Sequence, residues 1–468
     1  MNDMLPQGWV TVPLKSVGRW SGGGTPSKAE PRYWTNGTIP WVSPKDMKIA
    51  TLHDAEDHIT EDAVTESTTR VIESGSVLIV TRSGILQRIL PVALNAVPVA
   101  LNQDMKAITP NEGVDARYLY WMLVWLGDEI LRTCTKGGTT VASVEMSRLY
   151  DVPVPLAPLA AQRRIVAALE EHLSALDSAV SGLERAKVSL RRLEAAELMA
   201  AVCYKFGGDV RVEEPEPWAL PPSWRWVTVD SVGDVLLGRQ RAPQYLTGRH
   251  SKPYLRVANV GDDILKLDDV KRMDFDEQHA VRYGLQAGDI LVSEGQSPEL
   301  VGQSAIYRGE IPGVCFQKTL HRFRARPNRV MPEYAQLVFR AYVKGGVFQR
   351  YASLTVNIAH LTLERFKRVP FPLPPLSEQQ VMVDEATRRA AIIARTSADL
   401  ELQLVRAARL RQSILHRAFS GGLVPQDPAD ELASFEPEPG RANRSSAPTS
   451  PPAARGRART GRAGQRRG

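Results

Sequence analysis

Two long stretches of the chain lack proline and repeat apolar or small residues at alternating intervals of four and three. The first, Ala160 to Tyr204, carries Leu169, Leu173, Leu176, Val180 and Leu183, then Leu190 and Leu193. The second, Ser377 to Phe419, carries at corresponding places Ala386, Ala390, Ile393, Ser397 and Leu400, then Leu404, Ala407 and Leu410. Apolar positions spaced 3.5 residues apart on average form one stripe, so each stretch is predicted to be a coiled-coil helix. Lys187 interrupts the first stripe where Leu404 fits the second, and the final steps to Leu193 and Leu410 read as a shared drift. About 42 residues at 1.5 Å each give a helix of roughly 60 Å. Its stripe needs a partner, and the obvious one is the other copy, running antiparallel about a pseudo-two-fold axis.

The remaining pattern is also duplicated. "LPQGWVTVPLKSVG" (Leu5 to Gly18) aligns without gaps on "LPPSWRWVTVDSVG" (Leu220 to Gly233), and "VPVPLAPLAAQ" (Val152 to Gln162) on "VPFPLPPLSEQ" (Val369 to Gln379). Between these anchors the likeness is weaker. "SGSVLIVTRSG" (Ser74 to Gly84) and "AGDILVSEG" (Ala287 to Gly295) each read as a turn followed by a buried strand. "GGTTVASVEMSRL" (Gly137 to Leu149) pairs with "SLTVNIAHLTLERF" (Ser353 to Phe366). Matched edges around a variable interior suggest one architecture serving two specificities. The Pro-rich segments before each long stretch cannot be helical, because proline removes a donor and restricts its neighbour.

The net charge of +7 points toward nucleic acid, but its distribution tempers that. Eight Arg and no acid from Arg441 onward leave residues 1–440 at −1, and five acids between Asp427 and Glu438 leave residues 1–425 at +4. The body is therefore mildly basic, with an Arg-rich tail too poor in apolar residues to fold. Three dispersed cysteines (Cys134, Cys203, Cys315) form no C-x-x-C pair, which excludes a disulfide framework or a legible zinc site and suits a reducing compartment. The N-terminus lacks the basic and apolar regions of a signal peptide, and the longest uncharged run, Ile89 to Gln103, is too short to span a bilayer. A cytoplasmic protein without a membrane segment is expected.

Candidate chemistry is sparse. "WSGGGTPSKAEPRYW" (Trp20 to Trp34) places Lys28 in register with a phosphate-binding loop, but Ser27 replaces the second Gly and Ala29 the metal-binding hydroxyl. The Asn-Pro-Pro-Tyr type of motif, H-E-x-x-H and G-x-S-x-G are absent, and no catalytic or metal-binding residue is assigned. Lone histidines such as His321 and His360 read as surface or core residues. Polar residues suited to reading base edges do recur in predicted loops of both halves. In the first half these are Arg82, Ser83, Gln87 and Arg88, then Gln103 and Lys106. In the second they are Glu294, Gln296 and Gln303, then Gln317, Lys318 and Arg322. Lys136, Lys344 and Arg350 are candidate phosphate contacts, joined by Lys28, Lys45, Arg239, Arg241, Arg256 and Asn259 in the segments leading into each variable interior.

The stretches "SGGGTPSKAEPRYW", "IPWVSPKDM", "SGSVLIVTRSG", "LNQDMKAITP" and "GGTTVASV", the joints "VPVPLAPLAAQRRIV" and "VPFPLPPLSEQQ", and the closing "LRQSILHRAFSGGLVPQ" resemble the specificity subunit of a type I restriction–modification enzyme. The likeness runs from Leu5 to about Pro425; the second half departs from it at "LLGRQRAP" and "KPYLRVANV". The resemblance implies an α/β (α+β) fold with two duplicated target-recognition domains, joined by the two antiparallel coiled-coil helices. The expected division is residues 1–158 and 220–375 for the domains, 159–206 and 376–421 for the helices, 207–219 for a linker and 422–468 for a disordered tail. It further implies that each domain reads half of a bipartite double-stranded DNA site while the helices set the spacer. Two modification (methyltransferase) subunits would dock on this scaffold and use S-adenosylmethionine, and restriction subunits would add ATP and Mg. The chain itself would bind no cofactor and perform no catalysis. Two other readings stay open: a non-enzymatic protein-binding scaffold, and a subunit of a methylation-only system.

Overall fold

The computed structural model describes residues 5–136, 141–203, 218–355 and 357–430. They form two compact units: residues 1–172 with those from 412 onward, and Leu173–Arg411. The division cuts the long helices between residues 172 and 173 and between 411 and 412, whereas the repeat places its boundaries at the helix starts. The expected linker lies largely outside the described residues, as do residues 204–206 of the expected first helix and the tail beyond Asp430.

In the first unit a five-stranded sheet runs in the order Gly18–Gly22, Met105–Pro110, Val77–Val80, Val92–Asn95, Thr51–Leu52. Its central "VLIV" run is buried on both faces, which explains the absence of apolar–polar alternation there. Beside it are a four-stranded sheet containing Ile39–Val42 and the helix Ala116–Trp125. The second unit repeats the plan with Gly233–Leu237, Leu320–Ala325, Ile290–Ser293 and Ser304–Ile306, and with the helix Pro332–Lys344.

The matched edges of the repeat have one physical meaning in both units. Val10–Pro13 pairs antiparallel with Pro153–Leu156, and Arg225–Thr228 with Pro370–Leu373, in two-stranded clasps that tolerate proline because one edge of each strand is free. Just after each clasp a long helix begins, Leu159–Val202 and Leu376–Phe419, of 44 residues each. One turn in, a fully buried glutamine ties helix to domain. Gln162 accepts from Asp115 N–H (2.8 Å) and donates to Gly113 O and Ala157 O (2.9 and 2.8 Å). Gln379 does the same with Met331 N–H, Arg329 O and Pro374 O (2.8, 3.0 and 3.0 Å). Tyr118 and Tyr334 then donate to Pro155 O and Pro372 O of their clasps, and burial raises both hydroxyl pKa values well above the usual tyrosine range. Leu is close to Gln in size but offers no polar atom, so Gln162→Leu strands three backbone groups. At about 1–3 kcal/mol per unsatisfied group, a loss of about 3 kcal/mol is expected in urea unfolding of the full chain.

Within the second unit the helices run antiparallel, as three ion pairs fix: Asp177–Arg411 (2.6 Å), Lys187–Glu401 (2.7 Å) and Glu197–Arg389 (2.6 Å). Leu173 is buried, and Leu176, Val180, Leu183, Leu190, Ile393, Leu400 and Leu404 are half-buried along the seam. In the first unit Leu169 is fully buried. The proposed drift at the end of each stripe does not occur. Leu193 and Leu410 are 47% and 51% exposed, and the four-three alternation continues unbroken through Glu194 and Glu197 on one helix and Ala407 and Arg411 on the other. Charged residues occupy those seam positions because each finds an opposite charge there, Glu194 facing Arg340 at 3.6 Å.

Each unit also takes in the far end of a long helix. Leu198, Met199 and Val202 enter the second unit's core with Trp218, Tyr334, Tyr342 and Phe371. In the first, Phe419 packs on Tyr118 and Trp125. Gly421, at φ +79°, then ends that helix, with Gly422 N–H bonded to Arg417 O (2.8 Å). Disorder expected from residue 422 is not what residues 422–430 show. Gln426 accepts from the Trp9 indole (3.0 Å), and Asp430 forms a two-pronged pair with Arg164 (2.9 and 2.5 Å). Among the described residues no helix is long and apolar enough to cross a membrane.

Candidate nucleic-acid interface

The glycines of "WSGGGTPSK" serve close backbone approach. A Cβ on Gly23 would sit 1.8 Å from Asn102 O, and Gly24 N–H is already bonded to Leu101 O (2.8 Å). Only the 3-10 turn Pro31–Tyr33 follows. With the Gly23 and Gly24 amides engaged and no α-helix N-terminus behind it, the segment is not a phosphate-binding loop. Gly238 meets Gln317 O in the same way, so it is the counterpart of Gly23.

Directly after the buried central strand, each unit forms a small three-stranded ribbon. In the first it is Arg82–Ser83, Ala142–Val144 and Thr135–Lys136; in the second, Gly295–Gln296, Ala359–His360 and Ser353–Leu354. Ala142 pairs with Ser83, and Ala359 with Gln296, so the middle strands correspond residue for residue. A turn from the neighbouring strand is tied to each ribbon by backbone bonds: Thr81 and Arg82 N–H to Asp104 O (2.7 and 3.1 Å), and Glu294 N–H to Thr319 O (3.0 Å). Thus residues far apart in sequence, 82–88 with 103–104 and 294–296 with 317–319, converge on one edge of each unit.

Of the residues proposed to read DNA, this arrangement gathers Arg82, Ser83, Gln87, Arg88 and Gln103 in the first unit. Arg82, Gln87 and Arg88 are exposed, Ser83 caps the 3-10 turn Gly84–Gln87, and Gln103 bonds Thr25 and Asp104. Lys106 lies on the adjoining strand, half-buried against Gly22. Lys136 is on the ribbon but bound to Glu145 (2.5 Å), which Arg148 also holds. In the second unit the ribbon gathers Glu294, Gln296, Gln317 and exposed Lys318, with Gln303 beside them and Arg350 exposed on the short helix that precedes Ser353.

Other candidates lie elsewhere. Lys28 is exposed 5.9 Å from the Trp34 ring centre, and Arg241 is exposed. Lys45 is bound by Asp57 and Glu56, which raise its pKa. Arg256 pairs with Asp269 (2.5 Å). Three residues are corrected outright. Arg239 is 7% exposed, donating to Asp274 O and lying 3.9 Å from the Tyr245 ring centre. Asn259 is 2% exposed and bonds Arg256 N, Lys266 O and Asp269 O. Arg322 is 8% exposed on a central strand, where burial lowers its pKa. Lys344 belongs to a charge cluster: Asp262 binds Lys344 (3.0 Å) and Arg340 (2.7 Å), beside Glu194. Burial pushes the Asp262 carboxyl up, but the two cations outweigh it and hold it below its ordinary value.

His321 is a core residue. It is fully buried, donates from Nε2 to Leu361 O (2.7 Å), stacks on Phe366, and has its pKa pulled down to about 4 by burial. The unfolded chain takes up a proton near pH 6.5, whereas the folded unit does so only near 4. Stability from the neutral ring is therefore complete above pH 6.5 and lost as pH falls toward 4, by ~3 kcal/mol. In His321→Gln, the pH dependence of unfolding free energy over that interval is expected to flatten.

Sequence reasoning singled out polar residues and passed over exposed apolar ones. Ile85, Ile89 and Val141 are 40%, 55% and 44% exposed around the first ribbon, and Leu300, Leu354 and Ile358 are 42%, 61% and 47% exposed around the second. The available signal was the correspondence of Val141 and Ile358, each immediately before the matched alanine of the repeat.

The family model for the type I restriction modification DNA specificity domain matches residues 6–181 and 223–393. The Escherichia coli type I restriction enzyme EcoR124I/EcoR124II specificity subunit is 40% identical over 209 residues, 45% of this chain and 49% of that protein, so the match spans about half of the relative's length. The Salmonella potsdam StySPI specificity subunit is 24% identical over 434 residues, 90% of each chain. The HsdS subunit from Thermoanaerobacter tengcongensis shares the fold with a TM-score of 0.52 at 21% identity, covering 89% of this chain and 98% of that one.

Proposed function

Because the chain belongs to the family of type I restriction modification DNA specificity proteins, we propose that it is the specificity subunit of such an enzyme, each compact unit reading one half of a bipartite, asymmetric DNA site. The observation that carries this reading is the ribbon-and-turn edge, built on the same strand order in both units but furnished differently. Arg82, Gln87 and Arg88 supply donors suited to guanine O6 and N7 or to phosphates; Glu294 and Gln296 suit cytosine N4 and adenine. A short β-ribbon is of a size that enters the major groove.

The chain contributes recognition and assembly, and the chemistry belongs to partners. Two modification subunits dock on it and methylate adenine with S-adenosylmethionine; where restriction subunits join, they use ATP and Mg. No cofactor is held by this chain. The test is to express it with its modification subunits in a methylation-free host and map methylated adenines by single-molecule sequencing. One motif of two short specified parts separated by a fixed unspecified spacer is expected; methylation indifferent to sequence would refute the reading.

A further inference from the structure

We propose that the exposed aliphatic side chains on the two ribbons read thymine, by packing against its 5-methyl group in the major groove. The inference rests on the DNA-specificity reading above. Among the described residues of the first unit, five large hydrophobics are exposed, and three of them, Ile85, Ile89 and Val141, cluster at this one small ribbon. Val141 precedes the middle strand, in register with Gly84 and therefore beside Ile85, the second residue of the 3-10 turn. The second unit rebuilds the cluster from different residues. Ile358 holds the place of Val141, Leu354 pairs with the adjacent Ala359, and Leu300 follows on the loop after Gln296.

A branched side chain exposed at one corresponding position of two divergent domains, Val141 and Ile358, with further exposed aliphatics around each, needs an apolar surface to cover it. Their rims select DNA as that surface. Arg82 and Arg88 flank the first cluster, exposed and without an acidic partner among the described residues, and Lys318 is exposed on the turn beside the second. Cations around an apolar centre fit a duplex, whose phosphates line a groove in which thymine presents the one methyl group. Removing a methyl-sized contact of this kind costs about fourfold in affinity.

The test uses the assembled complex with its modification subunits and a duplex bearing the methylated motif. Each thymine of the motif, on either strand, is replaced singly by uracil, which removes only the methyl group, and binding is measured by fluorescence anisotropy. In the wild type, at least one replacement in each half-site is expected to weaken binding about fourfold. Val141→Ser should abolish that sensitivity in one half-site and Ile358→Ser in the other; both positions are exposed, so neither change disturbs a core. Uracil duplexes that bind as tightly as thymine duplexes, or a half-site without any A·T pair, would overturn the proposal while leaving the specificity reading intact. It is also overturned if Val141→Ser prevents assembly with modification subunits but leaves base preference unchanged, because the face then belongs to a protein partner. A wild-type complex that binds no bipartite site overturns both.

Discussion

Inserting one heptad into each long helix at matched register is expected to lengthen the unspecified spacer of the DNA site by about 3 base pairs. Seven residues add about 10.5 Å at 1.5 Å per residue, and B-form DNA rises about 3.4 Å per base pair. The insertion must respect the seam. Its four-three alternation runs without a break from Leu169 through Leu173, Leu176, Val180, Leu183, Lys187 and Leu190 to Glu194 and Glu197, so a whole heptad keeps apolar positions facing inward with about 20° of residual rotation. The ion pairs set where the two insertions belong: between Asp177 and Lys187 on the first helix, and between Glu401 and Arg411 on the second. Methylation mapping should then return both original half-sites with the longer spacer. A two-residue insertion rotates the downstream stripe by about 200°, turning it outward, and is expected to abolish the assembled complex on size-exclusion chromatography.

The second large effect is expected from Phe419→Ala. Phe419 is 1% exposed in the first unit, stacked on Trp125 (ring centres 5.2 Å, planes 19° apart) and edge-on to Tyr118 (5.2 Å). Truncating a buried phenylalanine removes its transfer free energy and leaves a cavity, costing about 3–5 kcal/mol. For a unit of this size that corresponds to a fall of about 10 °C in its melting temperature by calorimetry. Phe419→Leu, which fills most of the space, should recover more than half of the loss. Because Phe419 closes the second long helix yet packs in the first unit, recognition of the first half-site should weaken with heating before that of the second.

That packing also marks where sequence reading stops. Long helices and the doubling of the fold were legible because they depend on local chemistry: an apolar run for a buried strand, a four-three stripe for a paired helix; the Pro-rich joints were read only as non-helical, and their pairing into clasps joins strands distant in sequence. Gln162 and Gln379 lay inside the matched joints, but their three hydrogen bonds each appear only once the domain closes over them. The seam was misjudged at Leu193 and Leu410 because only apolar residues were admitted to it. Glu194, Glu197 and Arg411 hold those places through partners distant in sequence. Arg239, Asn259 and Arg322 misled for the same reason, since polar residues count as surface until a carbonyl or an aromatic ring is found to hold them inside. Lys45 and Lys344 look free in sequence and are neutralised in the fold. The polar loop residues were named in sequence without the two ribbons that gather them, and the exposed aliphatics were overlooked because single exposed hydrophobics are ordinary and only their clustering is informative.

The central claim, that each half of the chain independently reads half of one DNA site, is tested most directly by exchanging residues 1–158 for the matching segment of a relative with a different known site. This exchange carries both strands of the first clasp together, so it leaves the Val10–Pro13 and Pro153–Leu156 pairing intact. Methylated-adenine sequencing of the hybrid complex should show one half-site replaced by the donor's, with the other half-site and the spacer unchanged. A hybrid that altered both half-sites, or neither, would contradict the account.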